Sequence, residues 1–381
     1  MKLAVLKERR EGETRVAATP ETVKKLKGLG LDVTVETGAG ASARVADADY
    51  AAAGATIAPD MASALKDADI VLKVRSPDAA EIAAMKGGAV LAALLAPYTD
   101  KDAAAKLAAQ GVNAFAMEFI PRISRAQAMD VLSSQANLAG YKAVIDAAAQ
   151  FGRAMPMMMT AAGTIAPARV FVMGVGVAGL QAIATARRLG AIVTATDVRP
   201  ATKEQVVSLG ASFVAVEDDE FKQAETASGY AKPMSAEYQA KQAALVAEHI
   251  KKQDIVITTA LIPGRPAPKL VSAAMVASMK PGSVVVDLAV ERGGNVEGAK
   301  AGEIAKAGDV TIIGYLNVPG RIAASASALY ARNLYNFVET FFDKTSKAFA
   351  INWDDELVKA TVLTRDGAVV HPSFAGKGAN G

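Results

Sequence analysis

One stretch near the middle of the chain constrains the fold more than any other. Residues 170–197, VFVMGVGVAGLQAIATARRLGAIVTATD, have the pattern of an apolar strand, a glycine-rich turn, a helix and a second strand ending in an acid. Gly174, Gly176 and Gly179 form the motif GxGxxG, and Asp197 follows after about 20 residues. Such glycines allow a tight turn, close approach of a pyrophosphate to backbone amides, and close packing of helix on strand. The stretch therefore predicts a dinucleotide-binding fold.

The acidic residue at the end of the second strand bears on the choice of nucleotide. A carboxylate there accepts hydrogen bonds from the adenosine ribose hydroxyls and repels a 2′-phosphate, which favours NAD over NADP. Arg199 complicates this interpretation, because a nearby arginine can serve a 2′-phosphate. With Asp197 at the strand tip we expect NAD(H). The alternative, that the glycines only allow tight packing, accounts for less of the pattern.

The rest of the chain alternates short apolar runs with helical stretches, which predicts parallel sheets covered by helices. Strand candidates are residues 3–7, 32–36, 69–74, 89–95 and 113–118, and then 169–173, 192–197, 212–216, 254–260, 283–289 and 310–314. The second group has the strand count of a complete doubly wound dinucleotide fold. Asp366-Gly367, between two β-rich runs, predicts a hairpin.

Helical character continues from Arg125 for about seven turns, and a second long helix is predicted over 322–344. Long helices near the middle and end of the chain are natural bridges between domains. We therefore expect an α/β protein with two Rossmann-like doubly wound domains, a cleft between them, and long helices that join them. The expected domains are 1–132 plus 322–381, and 133–321 as the NAD-binding domain.

A polar cluster lies where the first domain gives way to the long helix. Gln127, Asp130 and Ser133 are spaced at i, i+3 and i+6, which places them on roughly one face of a continuous helix. Together with Arg122 they offer the donor and acceptor that a nicotinamide carboxamide needs, and Asp130 can hold Arg122 in place. A capped and solvated first helical turn explains the same spacing equally well.

The segment 217–237 is a polar insertion, longer than the ~4–6 residues usual for a connection in such folds. Loops of this length are often lids, and Tyr230 can close over a bound nucleotide. A plain surface loop is an equal alternative.

Composition excludes several kinds of chemistry. The chain has 381 residues, no cysteine and two histidines, so it has no thiolate nucleophile and no zinc–sulfur site. His249 and His371 are expected at the surface or at helix ends, and the absence of HExxH-type and clustered-carboxylate patterns predicts no metal. The net charge of +3, without a basic stripe, argues against nucleic acid as a partner. The methionines of MPMMM, 155–159, are expected to fill a core or an interface.

Several longer motifs resemble the NAD(H)-binding component of the proton-translocating NAD(P) transhydrogenases and, more distantly, the alanine dehydrogenases. The similarity covers essentially the whole chain and includes KERREGETRVAATP, VLKVRSP, PRISRAQAMDVLSSQANLAGYKAV, TTALIPGRPAPKLV and MKPGSVVVDLAVERGGN. It implies a Re/Si-specific transhydrogenase in which hydride passes between NADH bound here and NADP⁺ held on a partner subunit. It also implies a bacterial homodimer, attached to the cytoplasmic face of the inner membrane through membrane-spanning partners that couple the reaction to proton translocation.

The resemblance also assigns site residues. It implies that Arg122, Gln127, Asp130 and Ser133 act on the nicotinamide side and are the catalytic candidates. The implied nucleotide contacts are Gln127, Ala128, Met129, Asp130, Ser133, Gly174, Val175, Gly176, Val177, Gly179, Asp197, Val198 and Arg199, with Gly229, Tyr230 and Leu261 as weaker assignments.

The chain departs from the alanine dehydrogenase pattern at one position. Arg15 and Lys73 match residue types that hold and activate the amino acid there, but the catalytic histidine of an HLAP-like segment is matched by Leu94 of LLAP. Amine oxidation releases a proton and calls for a base, whereas exchange between two nicotinamides releases none at the reacting carbons. Leu94 therefore favours a transhydrogenase, with Arg15 and Lys73 as ion-pair members. The alternatives are a soluble amino-acid dehydrogenase and a non-catalytic NAD-sensing module.

Overall fold

The computed structural model describes residues 1–224, 234–262, 264–343, 345–346 and 348–375. The chain forms two compact units, Met1–Gln135 with Pro319–Gly381, and Ala136–Val318. Both are α/β, as the sequence predicted. Among the described residues, no helix combines the length and the apolar character needed to cross a membrane.

The elements of the described residues are numbered in chain order. The strands are β1 Lys2–Val5, β2 Asp32–Glu36, β3 Thr56–Ala58, β4 Ile70–Arg75, β5 Val90–Leu94, β6 Asn113–Ala116, β7 Met158–Thr160, β8 Gly163–Ile165, β9 Arg169–Met173, β10 Ile192–Thr196, β11 Ser212–Phe213, β12 Ile255–Thr258, β13 Val284–Asp287, β14 Ile304–Ala307, β15 Val310–Ile313, β16 Phe342–Asp343, β17 Ala348–Phe349, β18 Val362–Arg365 and β19 Ala368–Val369. The helices are α1 Pro20–Gly28, α2 Asp47–Ala52, α3 Met61–Leu65, α4 Ala79–Ala84, α5 Lys101–Ala109, α6 Val131–Gln150, α7 Val177–Arg188, α8 Thr202–Ser208, α9 Asp219–Lys222, α10 Ala236–Ile250, α11 Ala273–Ala277, α12 Ala323–Phe341 and α13 Glu356–Thr361.

The first unit is built on a sheet with the order β19-β18-β6-β5-β4-β1-β2-β3. Strands β1 to β6 run parallel, while β18 pairs antiparallel with β6 and β19 antiparallel with β18. The hairpin predicted at Asp366-Gly367 is confirmed, since both residues have positive φ, +49° and +81°, as a type I′ turn requires. The short strand β3 was missed by the sequence analysis.

The second unit has the order β11-β10-β9-β12-β13-β15-β14, parallel except for β14, which pairs antiparallel with β15. Without β14 this is the 3-2-1-4-5-6 order of the doubly wound fold, which confirms the prediction. The strand order reverses at β9, between β10 and β12. Ligands of such sheets bind beyond the carboxyl ends of the strands at this point.

Apolar side chains cover both faces of each sheet. In β1 and the residue after it, Leu3 and Val5 pack in one core cluster, and Ala4 and Leu6 in another on the opposite face. Burial on both faces explains why the strands are continuous apolar runs rather than alternating ones.

The long central helix differs from the prediction. We expected one helix from Arg125, but the structure has a 3₁₀ helix at Ser124–Met129, an extended Asp130, and then α6 from Val131. Asp130 Oδ1 accepts a hydrogen bond from Ser133 N at 2.8 Å and Oδ2 accepts one from Ser133 Oγ at 2.5 Å. The aspartate therefore caps a new helix instead of continuing an old one.

The methionines of 155–159 also differ from the expectation, though not all of them. Met155 is buried, but Met157, Met158 and Met159 are exposed, Met159 by 78%. They lie at or beside the β7–β8 hairpin, a two-stranded sheet separate from the seven-stranded one. The expectation that they fill a core is wrong for these three residues, because the hairpin is not a layer of that sheet.

Candidate functional site

The turn after β9 is shaped by three glycines, each for a different steric reason. Gly174 has φ of +99°, a conformation that other residues rarely adopt. A Cβ on Gly179 would lie 1.9 Å from the carbonyl oxygen of Gly174, so α7 packs too closely on the turn for any side chain there. A Cβ on Gly176, in contrast, would meet no atom of the described residues within 4 Å. The middle glycine thus leaves open space in front of the backbone.

This open space lies at the N-terminus of α7. Gly176 is the N-cap residue, it is exposed, and no side chain of the described residues caps the helix there. The N–H groups of a first helical turn have no acceptor within the helix, and the helix dipole adds partial positive charge at this end. The arrangement is chemically suited to a phosphate or pyrophosphate.

Asp197, directly after β10, ties the second strand to the glycine turn. Its Oδ2 accepts a hydrogen bond from Val175 N at 2.7 Å. Arg199 also binds this carboxylate: its backbone N and its Nε donate to Oδ1 at 2.9 Å, and its Nη2 donates to Oδ2 at 2.9 Å. Nη2 lies a further 3.2 Å from the carbonyl oxygen of Val175. The acid is thus a well-bonded ion pair, and Val198 between the two is exposed.

The loop after β12 lies against the same turn through residues that the sequence analysis missed. Thr259 Oγ1 donates to Gly174 O at 2.9 Å. Buried Asn295 accepts from Ala260 N at 3.0 Å and donates to Ala260 O at 2.9 Å, so it fixes this residue's backbone from both sides. Leu261, the next residue, is exposed. The signal in the sequence was polar residues directly after predicted strands, the position where ligands of such sheets bind.

The polar cluster of the first unit lies around the break between the 3₁₀ helix and α6. Since Gln127 belongs to the 3₁₀ helix and Ser133 to α6, the expectation that Gln127, Asp130 and Ser133 share one face of a continuous helix is wrong. Arg122 and Gln127 are exposed, whereas Met129 is buried in the core of its unit.

Side chains of the same unit hold this segment in place. Asn333 Nδ2 and Asn336 Nδ2 donate to Ala128 O at 2.8 and 2.9 Å. Arg125 pairs with Asp355, its Nη1 lying 2.9 Å from Oδ2. The exposed Arg122 and Gln127 are therefore carried on an anchored backbone.

The two weaker assignments of the polar insertion, Gly229 and Tyr230, lie outside the described residues. The insertion before them contains the short helix α9, which the sequence analysis missed. Phe221 of this helix is buried and stacks on Tyr238 of α10, with ring centroids 6.4 Å apart.

Arg15 and Lys73 are buried in ion pairs with the chain's own carboxylates. Arg15 donates from Nε and Nη2 to Glu13 at 2.8 and 2.6 Å, and from Nη1 to Gln135 at 2.8 Å. Lys73 Nζ lies 2.8 Å from Glu81 Oε1. Burial alone raises the pKa of Glu13, but hydrogen bonds and charge from Arg15, together with the charge of Arg75, lower it to about 2. The geometry matches the ion-pair role expected for both cations.

The two histidines lie elsewhere and are half-buried. His249, in the last turn of α10, has Nε2 2.8 Å from Thr194 Oγ1, and His371 stacks on Phe119 at 4.7 Å between ring centroids. Burial lowers the pKa of both, which favours the neutral imidazole. In the part of the chain that the structure describes, no group of three His, Asp or Glu side chains is placed to hold a metal ion.

Comparisons with known proteins agree over the whole chain. The family descriptions "Alanine dehydrogenase/PNT, N-terminal domain" and "Alanine dehydrogenase/PNT, C-terminal domain" match residues 4–139 and 143–372. An NAD(P) transhydrogenase alpha subunit of Rhodospirillum rubrum is 57% identical, over 100% of both chains. An alanine dehydrogenase of Halomonas elongata is 32% identical, over 98% of this chain and 96% of its own. The crystal structure of transhydrogenase from Sinorhizobium meliloti matches with a TM-score of 0.89 and 61% identity, over 97% of this chain and 100% of that one.

Proposed function

Because the chain belongs to the alanine dehydrogenase/PNT family, we propose that it is the NAD(H)-binding catalytic component of a proton-translocating NAD(P) transhydrogenase. Hydride then passes directly between NADH held on this chain and NADP⁺ held on a partner subunit. The observation that carries this proposal over an amino-acid dehydrogenase is Leu94, an apolar side chain where the alanine dehydrogenase pattern requires a histidine.

The glycine turn of the second unit fits a dinucleotide. The space in front of Gly176 and the amides at the start of α7 would hold the pyrophosphate, and Asp197 would accept from the adenosine ribose. A bound NADH supplies the hydride, so the protein has to position the nucleotide and exclude water from the reacting carbons.

The exposed residues of the first unit are assigned to the nicotinamide. Arg122 and Gln127 can donate to and accept from its carboxamide, and their anchored backbone limits their movement. Asp130 acts as a positioning residue for Ser133, because both of its oxygens accept from that serine. The expected effect of these side chains is on ring orientation rather than on affinity.

The reaction needs no general base at the transferred hydrogen, and the residues that would serve an amino acid are otherwise engaged. Leu94 at the end of β5 cannot take a proton. Arg15 and Lys73 are bonded to Glu13 and Glu81, so their charges are already paired. This arrangement supports hydride exchange between two nicotinamides.

The proposed partners follow from this division of labour. The chain has one complete glycine fingerprint, so NADP(H) is assigned to a separate subunit, with membrane-spanning subunits coupling the reaction to proton translocation. We place the chain at the cytoplasmic face of the bacterial inner membrane, held there by those partners. A homodimer is supported by the exposed apolar residues Met157, Met158, Met159 and Ile165 of the β7–β8 hairpin, which a second copy can cover.

The decisive experiment mixes the purified chain with an NADP(H)-binding partner domain loaded with an NADP⁺ analogue and follows oxidation of NADH. Fast transfer that requires both proteins is expected. The second candidate, an alanine-type dehydrogenase, is favoured by Arg15, Lys73 and the relative of 32% identity. It predicts robust NAD⁺ reduction with L-alanine by the chain alone, which would overturn the transhydrogenase proposal.

A further inference from the structure

We propose that Arg199 sets the nucleotide specificity of this site by competing with the adenosine ribose for Asp197. The inference rests on the proposed function, since it takes the glycine turn as the place where a nicotinamide dinucleotide binds. It adds a defined role for one side chain. Without nucleotide, the Arg199 guanidinium holds the acceptor positions that the ribose needs, and on binding it is released toward the position of a 2′-phosphate.

The first step of the argument is a count of hydrogen bonds. An ionised carboxylate offers about four lone-pair positions. Those of Asp197 are taken by Val175 N, Arg199 N, Arg199 Nε and Arg199 Nη2, at 2.7, 2.9, 2.9 and 2.9 Å. A ribose hydroxyl can therefore bind Asp197 only if one of these donors leaves.

The second step identifies the donors that can leave. The amides of Val175 and Arg199 are fixed by the backbone of the turn and of the strand end. The guanidinium is on a long side chain that is 27% exposed, against 7% for Asp197, so water can solvate it after release. It makes two bonds to the carboxylate, and the adenosine ribose of NAD has two hydroxyls to replace them.

The third step concerns charge. An aspartate alone at this strand tip repels a 2′-phosphate, which is the usual basis for choosing NAD over NADP. With Arg199 in contact, the pair carries no net charge, and a guanidinium binds phosphate through two parallel N–H groups. Arg199 therefore weakens binding of NADH and, in the same position, weakens discrimination against NADPH.

The test is equilibrium binding of NADH and of NADPH by titration calorimetry, which does not depend on hydride transfer. For Arg199→Gln we expect the Kd of NADH to fall about five-fold, the value for a competitor closed in about four molecules of five. The Kd of NADPH should rise, so that the ratio of the two constants changes by about ten-fold or more. Arg199→Lys keeps the charge without the forked geometry, so NADH should bind more tightly while NADPH still binds.

Arg188→Gln is the matched control, since Arg188 is an exposed arginine in the last turn of α7 and its replacement changes the net charge equally. We expect it to bind both nucleotides as the wild-type chain does. Unchanged or weaker NADH binding by Arg199→Gln, with thermal unfolding like that of the control, overturns the role given to Arg199 and leaves the proposed function standing. A wild-type chain that binds neither nucleotide overturns the proposed function, and this inference with it.

Discussion

The hydroxyl of Thr259 donates a hydrogen bond to the carbonyl oxygen of Gly174 at 2.9 Å. The bond joins the loop after β12 to the turn after β9, two neighbouring strands at the point where the strand order reverses. A Cβ on Gly174 would lie 2.6 Å from the same hydroxyl, so turn and side chain are also in close contact. The shape of the glycine turn therefore depends on a side chain from another strand.

Replacing Thr259 with valine removes this donor while keeping the side-chain shape. We expect the free energy of unfolding to fall by about 1–2 kcal/mol, because the carbonyl of Gly174 loses its partner. A turn held less firmly should also bind NADH several-fold more weakly, about the effect of 1 kcal/mol. Denaturant unfolding and titration with NADH measure both changes. Thr259→Ser keeps the hydroxyl and should stay near wild type, and a valine variant equal to the serine variant would contradict the assignment.

Two alanine substitutions in the glycine turn should have opposite consequences. Gly179→Ala places a Cβ 1.9 Å from Gly174 O, so we expect a loss of folding stability of about 3 kcal/mol or more. Gly176→Ala meets no described atom within 4 Å, and its stability should change by at most about 1 kcal/mol, the effect of losing an N-cap glycine. Its Cβ projects into the space assigned to the pyrophosphate, so NADH binding should fall at least ten-fold. If Gly176→Ala binds NADH normally, the nucleotide does not lie in front of this turn.

Gln127→Ala and Arg122→Ala test the assignment of the first unit to the nicotinamide. Each should slow hydride transfer to NADP⁺ on the partner by about 10- to 100-fold while changing the Kd of NADH only about two- to three-fold, since orientation matters most in the transition state. Single-turnover rates and equilibrium titrations separate the two effects. Ser124→Ala, at an exposed position of the same 3₁₀ helix, is the control. Equal losses in rate and affinity would show that these residues hold the nucleotide rather than orient it.

The features of the site that were predictable are local in sequence. The turn, α7 and the acid at the end of β10 lie within one stretch, so their spacing alone specified the fold and the position of Asp197. Thr259 and Asn295 were not predictable in the same way. They act on the turn and on Ala260 through contacts between strands, and a sequence pattern carries no distance between strands.

The break in the long helix was missed for a different reason. The apolar spacing after Arg125 is compatible with one continuous helix, and hydrophobic period cannot distinguish it from a short 3₁₀ turn followed by a new start. The outcome depends on whether Asp130 continues the helix or caps one, and here its carboxylate bonds with Ser133 favour the cap. The bidentate contact of Arg199 with Asp197 was also unforeseen, although both residues had been selected as nucleotide contacts.

The buried ion pair of Glu13 and Arg15 predicts a defined acid dependence of stability. The pKa of Glu13 is lowered from its ordinary value of 4.5 to about 2 in the folded chain, so its contribution to stability is complete above about pH 4.5 and is lost as the pH falls toward 2. Linkage gives a loss of about 2 kcal/mol by pH 3. Glu13→Gln leaves Arg15 without its counter-charge and should be less stable than wild type at pH 6. Because glutamine does not titrate, this difference in unfolding free energy, measured with urea, should narrow by about 2 kcal/mol at pH 3. A difference that stays constant between the two pH values would contradict the lowered pKa and the strength of the pair.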